Sequence, residues 1–324
     1  GDPERLDHLY LLTVADVRGT SPKVWNVWKD RLLTELHAAT LRTLRRGEAT
    51  PLDVEARLTD LQRDARALLD QAGADPARVA EHWARLEPEY FLRHDAGAIA
   101  WHTDRIVNTP ASALPLVATR YHPDAGGTEV LIYTADRDDL FVVTTGGFDR
   151  LSLTIMDARI HTTGFGFALD TFVVLDHAMQ PLTEARALAT LADGLRAQLL
   201  APQPGRDFRQ ALLPRALKHF PIATHVAFRT SASGQQTVME VQAQDRPGLL
   251  HQVACALQQC QTRLVTAKVA TYGERAEDYF FITDRNGAPI AGAEQQERLR
   301  QEILTRLGGS AGAAADAVSG SITF

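Results

Sequence analysis

The sequence is short of cysteine, has no basic excess and contains no long apolar run, and each shortage removes a class of protein. Two cysteines in 324 residues cannot build a disulfide framework. Cys255 and Cys260 fall on different faces of one predicted helix, and the usage points to a reducing cytoplasm. Lysine and arginine total 34 against 40 aspartate and glutamate, a formal charge of −6. A phosphate backbone wants a basic face, so no nucleic-acid partner is expected. No apolar stretch approaches the ~20 residues needed to span a bilayer, and the first residues lack a signal-peptide pattern, so no membrane association is expected either. The remainder, 45% hydrophobic and 23% charged, is the composition of a soluble protein with two or three domains.

What is present is a long internal repeat. Thr128 to Asp176 reads as a strand, a turn at Asp136-Arg137-Asp138-Asp139-Leu140, a helix through Leu151, a strand from Leu153 to Thr162 and a strand from Thr171 to Leu175. Thr237 to Asp284 repeats it, with Asp245 lying 109 residues after Asp136 and Asp284 lying 108 after Asp176. Solenoid periods are ~20 to 50 residues, so this spacing indicates a duplicated domain. A second helix follows in each copy, Thr183 to Leu200 and Glu294 to Leu307. The closing strands are expected at Thr224 to Arg229 and Ile322 to Phe324, the latter beyond a small-residue linker from Ser310 to Gly320. The order βαββαβ predicts an α+β fold of two ferredoxin-like domains, each a four-stranded antiparallel sheet with its helices on one face.

The chemistry of the repeat lies in the first strand-to-helix turn. In the second copy, Asp245-Arg246-Pro247-Gly248-Leu249-Leu250 leads into a helix carrying Val253, Ala254 and Leu257. Gly248 has no Cβ to obstruct a ligand, and the free amides at the helix start attract a carboxylate. Asp245 can accept a hydrogen bond from an ammonium group, so one turn could read both ends of an amino acid. The same tetrapeptide also fits a plain tight turn with Asp245 as a helix cap. In the first copy Asp138 and Asp139 replace proline and glycine, and the added negative charge should weaken carboxylate binding there. Two such sheets can pair edge to edge, within or between chains, and leave a pocket between copies.

Leu9 to Asp16 is an apolar stretch, and residues 26–127 are helical by pattern. Ser21 reads as a cap and Pro22 as the first residue of a helix carrying Trp25, Trp28, Leu32, Leu36 and Ala39, which stops at Gly47. Helical patterns follow from Pro51 to Gly73, Asp75 to Tyr90 and His94 to Asn108. Asp16 is open between two readings, a cap or buried acceptor and a ligand for a hard divalent cation. The His94-Asp95 pair has the composition of a metal phosphohydrolase dyad, but no aspartate follows in a matching helical context, and a surface connector is expected.

The Asp245 to Leu250 turn resembles that of the ACT domain, a module that senses amino acids. The tandem pair, with Asp136 to Phe141 and Asp157-Ala158-Arg159-Ile160 in its first copy, resembles the C-terminus of bifunctional uridylyltransferase/uridylyl-removing enzymes, which act on the nitrogen signal protein PII. Tyr10 to Trp25 with Trp28-Lys29 is similar to the end of that family's HD domain. Tyr90-Phe91-Leu92-Arg93-His94 and Ile99-Ala100-Trp101-His102 are similar to its connector. The resemblance implies four regions: 1–47, the last helices of an incomplete HD domain; 48–127, a helical connector; and ACT domains at 128–232 and 233–324. It further implies that the chain is the C-terminal part of a longer enzyme, that Asp16 corresponds to a ligand for Mg2+ or Mn2+, and that glutamine is the effector. The parent would transfer UMP from UTP to a PII tyrosine and remove it hydrolytically, and the chain would catalyse neither step alone. Two rivals are a stand-alone amino-acid-binding module and a guanosine-tetraphosphate synthetase/hydrolase. The second would need a β-rich domain where the pattern is helical.

Overall fold

The computed structural model describes residues 3–20, 25, 27–46, 51–201, 222–231, 234–269, 271–272 and 275–308. The expected cap at Ser21, the helix start at Pro22, the stop at Gly47 and the closing strand at Ile322 to Phe324 lie outside these residues.

The N-terminal segment is a helical hairpin of α1 (Pro3–Thr20) and α2 (Val27–Arg46). Tyr10 and Thr34 join the two through their hydroxyls at 3.0 Å, and His37 Nε2 meets Asp7 Oδ1 at 2.6 Å. Four helices follow: α3 (Pro51–Gln71), α4 (Pro76–Trp83), α5 (Pro88–Leu92) and α6 (Ala96–Val107). The helix expected over Asp75 to Tyr90 is broken in two. Pro88 opens α5 at its first turn, where the missing N–H costs nothing, and the residue before it is forced out of the helical region. Asp75 and Asp95 cap α4 and α6 by accepting from the amides of Ala77 and Ala98.

The first sheet holds β1 (Leu116–His122), β2 (Gly127–Ala135), β3 (Thr154–Arg159) and β4 (Phe167–Leu175) in the order β1-β2-β4-β3, all antiparallel. The second holds β5 (His225–Thr230), β6 (Thr237–Gln244), β7 (Arg263–Lys268) and β9 (Arg275–Thr283) in the order β5-β6-β9-β7, with the short β8 (Thr271–Tyr272) on β9. The helices are α7 (Leu140–Arg150) and α8 (Ala185–Leu200) in the first unit, α9 (Leu249–Gln259) and α10 (Ala293–Arg306) in the second. The α+β class and the two ferredoxin-like sheets are as expected, but the strand order along the chain is not. The strand at His225–Thr230, expected to close the first unit, pairs with β6 and belongs to the second. Its counterpart β1 lies inside the stretch expected to be all helical, and pairs with β2. Each unit therefore runs ββαββα. The edge position that a βαββαβ chain fills last is filled first, because an antiparallel edge needs only a partner beside it and can take one from either chain direction.

The repeat extends below the level of elements. A bulge interrupts the β3–β4 ladder between Ile155 and Asp157, and another interrupts β7–β9 between Leu264 and Thr266, at equivalent positions. Phe172 and Phe280 are both fully buried at the centres of their sheets. Asp176 and Asp284 each accept two backbone amides to fold the same turn. The units pack through α7 against α9 and the edges β3 and β7, and one continuous apolar core runs through both. His251 of α9 donates from Nδ1 to the carbonyl of Val142, its counterpart in the repeat, at 3.2 Å.

The sheets differ in what covers their second face. Leu131 and Leu169 of the first pack against Leu69, Val79, Trp83, Tyr90 and Ile99 of α3–α6. β4 is consequently buried on both sides and reads as the near-continuous apolar run Phe-Ala-Leu-Asp-Thr-Phe-Val-Val-Leu. β9 alternates buried with half-buried residues, as a sheet with one dry face should.

Candidate functional site

Each unit presents its strand-to-helix turn to the other unit, and the result is two reciprocal clefts. The first, of about 70 Å³, lies between the Asp136 to Leu140 turn and the α9–β7 region of the second unit, where Leu257, Gln258 and Arg263 face it. The second, of about 40 Å³, lies between the Asp245 to Leu250 turn and the α7–β3 region of the first, where Phe148, Asp149 and Thr154 face it. The facing residues are themselves counterparts in the repeat: Leu257 answers Phe148, Gln258 answers Asp149 and Arg263 answers Thr154. The turn and the opposing helix are thus brought together twice by one packing geometry.

The turn residues are not equally available. Gly248 is the N-cap of α9 with φ +78°, a left-handed conformation that glycine adopts without strain, and α9 has no side-chain cap. A Cβ at that position would lie 3.4 Å from Asp149 Oδ1, so the Asp149 carboxylate already stands at the start of α9, where the helix dipole favours an anion. Burial pushes Asp149 above the usual carboxylate range. Asp245 is raised by burial as well, an effect opposed by the amide of Arg246 and by the Lys29 ammonium of α2. The ammonium that the sequence led us to expect at Asp245 is thus supplied in part by the protein itself. Arg246 donates to the carbonyl of Arg306 at the end of α10, and Leu249 and Leu250 are buried in the shared core.

In the first cleft the acidic turn is largely neutralised. Asp136 Oδ2 receives Arg263 Nη2 from the second unit at 2.8 Å, and Asp139 Oδ1 receives Arg137 Nε at 2.9 Å. Asp138 is exposed. Gln258 takes the place that Asp149 holds in the second cleft, so no facing carboxylate stands at the start of α7. The negative charge expected to disfavour this copy is therefore offset by Arg137 of the same turn and by Arg263, which only the pairing of units supplies.

Two residues at the cleft floors escaped the sequence reading. Asp170 of β4 lines the first cleft and Asp278 of β9 the second, each 1% exposed, at equivalent positions 108 residues apart. A carboxyl in the middle of an otherwise apolar strand, repeated at the offset of the duplication, was the signal available. Asp170 accepts the amide of His161 at 3.3 Å and, among the described residues, pairs with no cation. Burial raises it to about 8, against the His161 hydrogen bond, with a further upward push from Asp136.

The connector is fixed to the first sheet by a second buried group of polar side chains. His102 donates from Nε2 to Glu129 Oε1 at 3.0 Å and accepts the Tyr90 hydroxyl at Nδ1 at 2.9 Å. Arg120 donates from Nε to Glu129 Oε2 at 2.6 Å and covers the Trp101 ring. Burial pushes Glu129 up, but the hydrogen bonds from His102 and His122 and the charge of Arg120 outweigh it, leaving the carboxyl well below its usual range. His94, expected at the surface, is buried, donating to the carbonyl of Tyr90 and receiving Thr171 Oγ1, while Asp95 serves as a cap. The pair is structural because its two members point to different tasks. Arg93, at the end of α5, reaches Thr266 of β7, so the connector touches both units.

Asp16 is exposed on α1, which continues through it to Thr20. Among the described residues no group of three histidine, cysteine, aspartate or glutamate side chains could hold a metal ion. One carboxylate does not by itself amount to a site for Mg2+. No helix among the described residues is long and apolar enough to cross a membrane.

With this geometry in place, the likeness to known proteins has a structural frame. Residues 53–105, which are α3 to α6, match the family described as the fifth domain of uridylyltransferase GlnD. The bifunctional uridylyltransferase/uridylyl-removing enzyme of Pseudomonas putida strain W619 is 40% identical over 328 aligned positions, covering 100% of this chain and 36% of that protein. The chain matches the C-terminal region of bifunctional uridylyltransferase/uridylyl-removing enzymes. Enzymes of that name from Pseudomonas syringae pv. tomato and Ectopseudomonas mendocina are each 40% identical over 311 positions, 95% of this chain and 35% of theirs. The chain therefore spans about a third of the length of the curated relatives it matches. Among solved structures, aspartate kinase from Synechocystis aligns at 13% identity with a TM-score of 0.30 over 56% of this chain and 27% of that one, too weakly to bear on the fold.

Proposed function

We propose that this chain is the glutamine-sensing regulatory region of a bifunctional uridylyltransferase/uridylyl-removing enzyme, and that glutamine binds in the reciprocal clefts between the two ACT-like units. The observation that carries the reading is the pairing itself. Each cleft joins an uncapped helix start, suited to a carboxylate, with a buried aspartate on the strand beneath it. Asp136 and Asp138 contribute to the first cleft, with Asp139 beside them at the start of α7, and Asp245 to Leu250 to the second. In the parent protein, UMP would pass from UTP to a tyrosine of PII and be removed by hydrolysis, with Mg2+ or Mn2+ held by parts beyond Asp16.

Ligand binding changes activity elsewhere only through a differential contact with two states, and the coupling is reciprocal. The connector is the natural carrier: it is buried against the first sheet through Glu129 and His102 and reaches the second unit through Arg93. Lys29, acting on Asp245, ties the N-terminal hairpin to the second cleft in the same way.

Titration calorimetry of the chain with L-glutamine, L-glutamate and L-asparagine tests the reading. Binding of glutamine in preference to the other two is expected, and no heat with any of them overturns it.

A further inference from the structure

Three acidic groups line the first cleft, and two of them are accounted for. Asp136 is paired with Arg263, and Asp138 is exposed to water. Asp170 is different. It is almost completely buried, it lines the cleft, and its one hydrogen bond within the described residues comes from a backbone amide. Nothing in the packing of the first unit calls for an acid here. The neighbours of Asp170 on the same face of β4 are Ala168 and Phe172, both in the apolar core, and an apolar side chain in its place would avoid the cost of burying a polar group. The duplication nevertheless has aspartate at both equivalent positions, and each opens onto its cleft.

We propose that Asp170 is the cation-receiving group of the first cleft, taking the α-ammonium of a zwitterionic amino acid and releasing its own carboxyl proton to solvent as the ligand arrives. This rests on the reading of the clefts as amino-acid sites and names the residue that distinguishes an amino acid from a simple carboxylate. The ligand keeps its three ammonium hydrogens; the carboxyl O–H of Asp170 breaks, and buffer takes the proton. In the empty cleft the neutral acid is the favoured form, because burial disfavours the anion and Asp136 adds to the effect. A bound ammonium within hydrogen-bonding distance reverses that balance. The other charged groups that line the cleft are Arg137 and Asp138 on the turn, Arg263 on β7 and Arg285 beyond β9; α9 contributes only uncharged residues. The ligand carboxylate then lies at the start of α7, where Gln258 rather than a carboxylate faces it.

The test is calorimetry of the whole chain with L-glutamine at pH 7 in two buffers of different ionisation enthalpy, which counts protons released. About one proton per chain is expected for the natural protein and none for Asp170→Asn, with affinity at the first cleft falling roughly ten- to a hundredfold, the range for a lost hydrogen bond to a charged group. The deaminated analogue of glutamine, 4-carbamoylbutanoate, should bind without proton release. Glutamine binding with no proton released, or equal affinity in Asp170→Asn, overturns the assignment of Asp170 and leaves the sensor reading intact. Absence of glutamine binding in the natural protein overturns the sensor reading itself. The Asp278→Asn variant, expected to release the proton as the natural protein does, separates the two clefts.

Discussion

Replacing Asp170 by asparagine should make the protein more stable, and increasingly so as the pH rises. Asp170 lies raised to about 8 in the folded chain, against about 3.9 for a carboxyl in an unfolded one. Between those values the folded state holds a proton that the unfolded state has lost, so stability falls as pH rises through the interval. The slope for one group is about 1.4 kcal/mol per pH unit, or roughly 2.5 kcal/mol between pH 5 and pH 7. Asparagine has the shape of the neutral acid and does not titrate, so every other pH effect is shared and cancels in the comparison. Urea denaturation of both proteins at pH 5, 6, 7 and 8 reads the difference from the midpoints and slopes. Curves that diverge with pH, the variant on top, are expected. Parallel curves would mean that Asp170 ionises normally in the folded protein, and the account of the first cleft as a place prepared for a cation would be lost.

Glu129 should show the opposite sign. Its folded-state pKa is depressed, so its stabilisation is present above the ordinary glutamate range and is lost as pH falls. Acid unfolding should accordingly be less steep in Glu129→Gln, measured by circular dichroism from pH 6 to 3. Glu129→Ala, which leaves Arg120 without its partner, should cost about 3–5 kcal/mol by urea denaturation at pH 7. Phe172→Ala and Phe280→Ala, at equivalent buried positions, should each cost about 3–5 kcal/mol; a cost below 1 kcal/mol in either would refute the packing of that sheet. Gly248→Val forces a β-branched residue to positive φ with its Cβ against Asp149, and should cost at least about 1–3 kcal/mol while abolishing glutamine binding at the second cleft. Unchanged stoichiometry by calorimetry would exclude that cleft.

The duplication, the helix and strand types and the two turns were legible in the chain because they depend on periodicity and on residues with local conformational preferences. Pro76 marks a helix start by its own geometry, whereas Pro88, which opens α5, falls inside a single expected helix. Ownership of the edge strands was not legible. Leu116–His122 reads as part of a helical stretch and His225–Thr230 as the closing strand of the first unit; which sheet takes an edge strand depends on a partner elsewhere in the chain, and periodicity carries no information about partners.

The clefts divide along the same line. Residues Asp245 to Gly248 and Asp136 to Asp139 announce a turn before a helix by their own chemistry, and that much required no coordinates. What faces each turn comes from the other unit, Arg263 neutralising Asp136 and Asp149 standing at Gly248, while Asp170 and Asp278 lie buried at the cleft floors on strands of the turn's own unit. An aspartate acquires an unusual proton affinity only when the surrounding chain removes it from water, and that removal is a property of packing, absent from any stretch of sequence read alone.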